Sequence, residues 1–176
     1  MRKLFLPVVL LSIMLSFQSC TKTTSGGNNS EMKAGIYPAC NSTINFDSKG
    51  SHVDFVLYPD GLNFSATATI PGSTDPSNEL GMNIYIGGGQ TLHTGMFDLN
   101  SVWPLSFVLY WDPKDDALDE FGHISGQITI NSFNFESGHD NDYNYLTEMD
   151  FSFNGILQDP NGNEVCISDG HCHWEK

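Results

Sequence analysis

The chain has 176 residues, with 7 basic against 21 acidic side chains and a formal net charge of −14. A field of that sign repels phosphate backbones and excludes nucleic acid as a partner. Hydrophobic residues make up 39% of the chain, which is enough for one packed domain, and no internal repeat is visible.

The first element is an export signal. Arg2 and Lys3 precede an uncharged apolar run over residues 4–17, and Ser19 is the small residue before Cys20. The run is shorter than the roughly 20 residues a membrane span needs. This order resembles the lipoprotein signals of Bacteroidetes-type bacteria, although Phe17 and Gln18 depart from the usual box. The resemblance implies removal of residues 1–19 and acylation of Cys20. More than one acyl chain gives stable anchoring, so the expected location is the bacterial cell envelope, at the outer membrane, with the membrane as a partner through the lipid. Residues 20–32 are dominated by Thr, Ser, Gly and Asn, a composition that predicts a flexible tether. Residues 33–176 are then one domain.

Period-two alternation governs that domain. Val53, Phe55 and Leu57 alternate with His52, Asp54 and Val56, Pro59-Asp60-Gly61 supplies a turn, and Phe64, Ala66, Ala68 and Ile70 resume the pattern. Together they predict a hairpin. Met82, Ile84 and Ile86 predict a third strand, closed by Gly87-Gly88-Gly89. That triple glycine lacks the helix and Lys-Ser/Thr of a phosphate loop and reads as a turn. Met96-Phe97-Asp98-Leu99 is short and extended. Leu105–Trp111 is apolar on both faces, which predicts a central strand. Alternation returns at Ile124, Gly126, Ile128 and Ile130, and again at Met149, Phe151 and Phe153. Asp159-Pro160-Asn161-Gly162 is a turn, and a last hairpin is expected from Val165 and Ile167 to Cys172 and Trp174. Residues 115–121 have room for one helical turn. The predicted fold is all-β, an antiparallel β-sandwich of about 8–10 short strands.

Gly95-Met96-Phe97-Asp98-Leu99, the stretch from Ser125-Gly126-Gln127 to Ser132-Phe133, Met149-Asp150-Phe151-Ser152-Phe153-Asn154-Gly155 and Ile167-Ser168-Asp169-Gly170-His171 follow one another in the C-terminal half. In order and spacing they resemble an uncharacterised domain family of Bacteroidetes lipoproteins. Met149-Asp150 stands where that family has Gly-Thr, and His171-Cys172 where an aromatic is usual. The resemblance implies a secreted β-sandwich and no particular chemistry.

Three cysteines remain beyond Cys20, in a compartment where disulfides persist. If Ser168-Asp169-Gly170 is a three-residue loop with Gly170 in the left-handed position, Cys166 faces Cys172 within bridging range. That Cys166–Cys172 disulfide is the preferred reading. If Asp169-Gly170 is a two-residue turn, the two cysteines take opposite faces and one is available to Cys40. A zinc site from Cys166, His171, Cys172 and His173 is disfavoured, because His171 and His173 share one face of the strand and Cys172 takes the other.

Asp140, Asp142 and Asn144 have the alternate spacing of a calcium loop, with the EF-hand Gly and Glu positions occupied by Tyr145 and Phe151. They are weak calcium candidates, and no other cofactor is implied. Asp112, Asp115, Asp116, Asp119 and Glu120 form a second acidic stretch. Tyr143 and Tyr145 in a polar loop, with Trp103, are candidate rings for stacking on sugars, against the alternative that they cover the sheet end. No nucleophile elbow, Ser-x-x-Lys or His-Glu-x-x-His occurs. The expectation is a lipid-anchored, non-catalytic binding module for a glycan or surface partner, presenting loops near 72–80, 112–122 and 137–147. The alternatives are a structural component of an envelope complex and a glycan hydrolase.

Overall fold

Alternating apolar side chains build the first sheet of the computed structural model. It describes residues 22–38, 40, 44–49, 53–58, 61–69, 79–87, 92–99, 105–111, 119–140 and 142–176. Strands β4 (Val53–Tyr58) and β5 (Gly61–Thr69) pair with Tyr58 opposite Gly61, and β6 (Glu79–Gly87) continues the sheet with Leu62 opposite Ile86. Val53, Phe55, Leu62, Phe64, Ala66, Leu80, Met82, Ile84 and Ile86 are all buried. Strand β8 (Leu105–Trp111) lies between β6 and β9 (Asp119–Phe135), so the strand expected to be central is paired on both sides.

The second sheet is built from longer strands. Among the described residues every pairing is antiparallel, and one hydrogen-bonded path runs from β1 (Lys22–Ser25) through β4, β5, β6, β8, β9, β10 (Leu146–Gln158), β11 (Glu164–Glu175) and β2 (Glu31–Pro38) to β3 (Ile44–Lys49), with β7 (Gly95–Asp98) added to β9. The path folds into two facing layers, a β-sandwich. Strand β9 carries it from one layer to the other. Its first residues pair with β8, and from Gly122 onward it pairs with β10 (Leu146–Gln158). Near that corner Gly126 has φ +148 and lies opposite Gly155 of β10. A Cβ there would overlap the Asn154 carbonyl oxygen, so only glycine lets the two backbones approach.

Aromatic rings join the layers. Phe64 of β5 meets Phe151 of β10 with centroids 5.2 Å apart, and Trp174 of β11 (Glu164–Glu175) meets Phe55 of β4 at 4.8 Å. Burying each such side chain contributes about 1.5–3 kcal/mol.

Three strands were not read from the sequence. Lys22–Ser25 forms β1 and pairs with β4, where a tether was expected. The chain then crosses to the other layer. The Gly26 amide donates to the Val53 carbonyl at 2.8 Å and the Gly27 amide to the Glu175 carbonyl at 2.7 Å. Buried Ser30 closes this crossing, its hydroxyl donating to the Glu175 carbonyl and accepting from the Glu175 amide. Backbone pairing, which composition does not report, orders these polar residues. Beyond them, β2 (Glu31–Pro38) and β3 (Ile44–Lys49) form a hairpin that extends the β11 edge.

The expected last hairpin is instead one strand. β11 runs without reversal from Glu164 to Glu175, flanked by β10 and β2. Ser168-Asp169-Gly170 forms a bulge in it, and Asp169, not Gly170, takes the left-handed conformation, with φ +49. The extra residue reverses the alternation. Val165 and Ile167 are buried before it, and Gly170, Cys172 and Trp174 after it. Cys172 therefore points into the core, away from Cys166, and the preferred Cys166–Cys172 disulfide does not form. Cys166 bridges to Cys40 with Cα atoms 5.1 Å apart, and Cys172 is a buried free thiol.

Candidate functional site

The aromatic loop was the first expectation. Tyr143 and Tyr145 lie in a single 3₁₀ turn, Tyr143–Tyr145, capped by Asp142. The Tyr143 ring packs on the core and lies nearly parallel to Phe135, with centroids 6.5 Å apart. Burial raises its phenol pKa, and a hydrogen bond from the Leu92 backbone partly offsets the rise. Tyr145 stacks on His139 at 3.7 Å. Both rings thus have internal partners, as sheet-end cover would. Trp103 lies outside the described residues, as do Cys20, Asp112, Asp115 and Asp116.

The acidic loop is occupied by its own turn. Asp142 Oδ1 accepts from the Asn144 amide at 3.1 Å and from Asn144 Nδ2 at 2.9 Å. Asp140 is exposed. Among the described residues no group of three or more His, Cys, Asp and Glu side chains is arranged to hold a metal ion.

A polar network covers the outer face of β9, β10 and β11. Asp150 Oδ2 lies 2.9 Å from His171 Nε2 and 3.5 Å from His173 Nδ1. Its Oδ1 accepts from Asn131 Nδ2 at 2.7 Å, and the same amide reaches Ser152 Oγ at 3.1 Å. Asn134 Nδ2 donates to Glu148 at 2.6 Å. Each carboxylate already has a donor from a neighbouring strand, so the network ties the strands together laterally.

A groove opens beside this network, over β2 and β3. Its volume is about 360 Å³, and its lining includes Lys33, Gly35, Tyr37, Asn45, Asp47 and Asp169. The strands explain the shape. Ala34 and Ile36 point into the core, so Lys33, Gly35 and Tyr37 take the outer face of β2. Asn45 lies directly across from Gly35, and Asp47 from Lys33. Gly35 contributes no side chain, and the Tyr37 ring reaches back over it. A Cβ at Gly35 would stand 3.0 Å from Tyr37 Cε2 and 3.2 Å from Ser168 Oγ.

The disulfide holds this platform. Cys166 is the register partner of Tyr37, and the Cys40 amide donates to the Tyr37 carbonyl at 2.8 Å. The Cys40–Cys166 bridge therefore pins the chain leaving Tyr37 onto β11. Sequence reasoning missed this site. Its available signal was the alternation Met32, Ala34, Ile36 against Lys33, Gly35, Tyr37.

Charge in the groove is predominantly negative. Lys33 Nζ contacts Glu31 Oε2 at 2.6 Å, and that hydrogen bond, with the charges of Glu31 and Asp47, raises the ammonium pKa against the opposing pull of desolvation. Asp169 accepts from Ser168 Oγ at 2.9 Å. Comparison with protein-family models, curated proteins and solved structures finds no match for this chain.

Proposed function

We propose that this chain is a non-catalytic binding module of the bacterial cell envelope, anchored by lipid at Cys20, that holds a glycan in the groove over Gly35. The observation that carries the reading is the groove itself. An aromatic ring lies over a residue without a side chain and is flanked by an amide, carboxylates and an ammonium. Sugars present apolar C–H faces and hydroxyl edges together, and this mixture of groups suits both. The charged start, short apolar run and Ser19-Cys20 support export and anchoring, and the likeness to Bacteroidetes lipoprotein domains fits that location.

The reading moves the binding site from Tyr143 and Tyr145 to Tyr37. The experiment is a glycan array followed by calorimetry on the detergent-solubilised mature protein. Saturable binding that is lost in Tyr37→Ala and retained in Tyr143→Ala supports the proposal, provided each variant keeps its melting temperature within a few degrees. Binding that survives Tyr37→Ala overturns this site. A blank array, followed by recovery of an envelope protein after cross-linking in cells, favours the structural alternative. Release of shortened oligosaccharides from an array ligand would favour the hydrolase.

A further inference from the structure

The charges around the groove narrow the ligand further. Among the described residues Lys33 is the cation of the lining, and it pairs with Glu31 at 2.6 Å. Asp47 lies across from Lys33 in the β2–β3 register. Asp169 enters from the opposite side, on β11, and it lines the groove because of the bulge. A regular strand would have continued the alternation through this position. The bulge instead holds Asp169 at φ +49, a conformation that asparagine and aspartate tolerate better than other side chains do. The Ser168 hydroxyl donates to Asp169 Oδ2 and orients the carboxylate. Among the described residues of the lining, Lys33 stands with Asp47 and Asp169, on a chain whose formal charge is −14.

We infer that the groove selects saccharides bearing a free amino group and rejects acidic ones. This deepens the glycan reading and rests on it. An ammonium entering beside Tyr37 meets Asp169 and Asp47, and a tyrosine face also attracts a cation. A uronate, sulfate or phosphate meets the same carboxylates and is repelled. Neutral sugars keep the ring contact and the hydrogen bonds but gain nothing from the charge.

The experiment compares three ligands by calorimetry on the mature protein: glucosamine oligomers, their fully N-acetylated counterparts, and galacturonate oligomers. The expected order is glucosamine first, by about fivefold over the N-acetylated form, with galacturonate weakest. That margin corresponds to one exposed charge pair. Asp169→Asn keeps a residue suited to the left-handed position and removes the charge. It should erase the margin, so that glucosamine and N-acetylated oligomers bind the variant equally. Raising salt should shrink the margin in the unmodified protein alone. Equal or tighter binding of galacturonate overturns the inference, as does a preference that survives Asp169→Asn. Failure of the glycan reading looks different, because then none of the three ligands binds saturably.

Discussion

Val165 and Trp174 are buried on the same face of β11 although an odd number of positions separates them. In a regular strand they would point apart. The bulge at Ser168-Asp169-Gly170 supplies the missing half-period, and with it leaves Cys166 bridged to Cys40 and Cys172 a free thiol in the core.

The disulfide is directly checkable. Digestion without reduction should yield one cross-linked peptide pair containing Cys40 and Cys166, and a Cys172 peptide that is not bridged. A Cys166–Cys172 link would contradict the bulge. The bridge spans a sequence separation of 126 residues, so it strongly restricts the unfolded chain. Replacing both cysteines by serine should cost about 2–5 kcal/mol in denaturant unfolding.

Cys172 should be unreactive in the native protein. Burial, with the nearby charge of Asp150, raises its thiol pKa well above the usual value. A group of this kind stabilises the fold while it stays protonated, and the contribution declines once alkaline pH ionises it in the unfolded chain. Iodoacetamide should label Cys172 only after denaturation. Cys172→Ser places a hydroxyl in the core and should cost about 1–3 kcal/mol. Rapid labelling under native conditions would place the residue at the surface instead.

Gly126→Ala should be among the most damaging single changes. The new methyl group would overlap the Asn154 carbonyl and press on Leu99 Cδ1 at 2.7 Å, and φ +148 disfavours any L side chain. A loss of about 1–3 kcal/mol or more is expected, read as a lowered denaturation midpoint. Gly122→Ala is the control, since a Cβ there meets nothing within 4 Å.

Asp159 gives the protein an acid-sensitive turn. Burial favours the protonated form, but donors from Asn163 and Asn161 outweigh it and hold the carboxyl pKa below its ordinary 3.8. Because the folded pKa is the lower one, the stabilisation is present above the ordinary value and lost as pH falls through the folded one. Melting curves of the unmodified protein and Asp159→Asn should therefore separate at neutral pH and converge in acid. Curves that stay parallel across the range would remove Asp159 from the account.

Sequence alone determined much of the strand content beyond Val53, and β1, β2 and β3 were not read from it. Alternation at 53–57, 64–70, 82–86, 124–130 and 149–153 needs only period two and a buried face, and the antiparallel sandwich follows from it. The turn at Asp159-Pro160-Asn161-Gly162 was legible for the same local reason, in its Asx and glycine chemistry. Strand β2 shows the same alternation, but its neighbours resemble a linker, and the pairing that orders them comes from Val53 and Glu175, far along the chain.

Tertiary structure decided the disulfide and the groove. Ser-Asp-Gly suits a hairpin loop and a bulge equally, because both use a residue in the left-handed region. What separates them is whether β10 and β2 are present on the two sides of β11 to hold it straight. A period-two pattern fixes which residues share a face of one strand, but not which strands lie beside it, and a site assembled across three strands depends on that second fact.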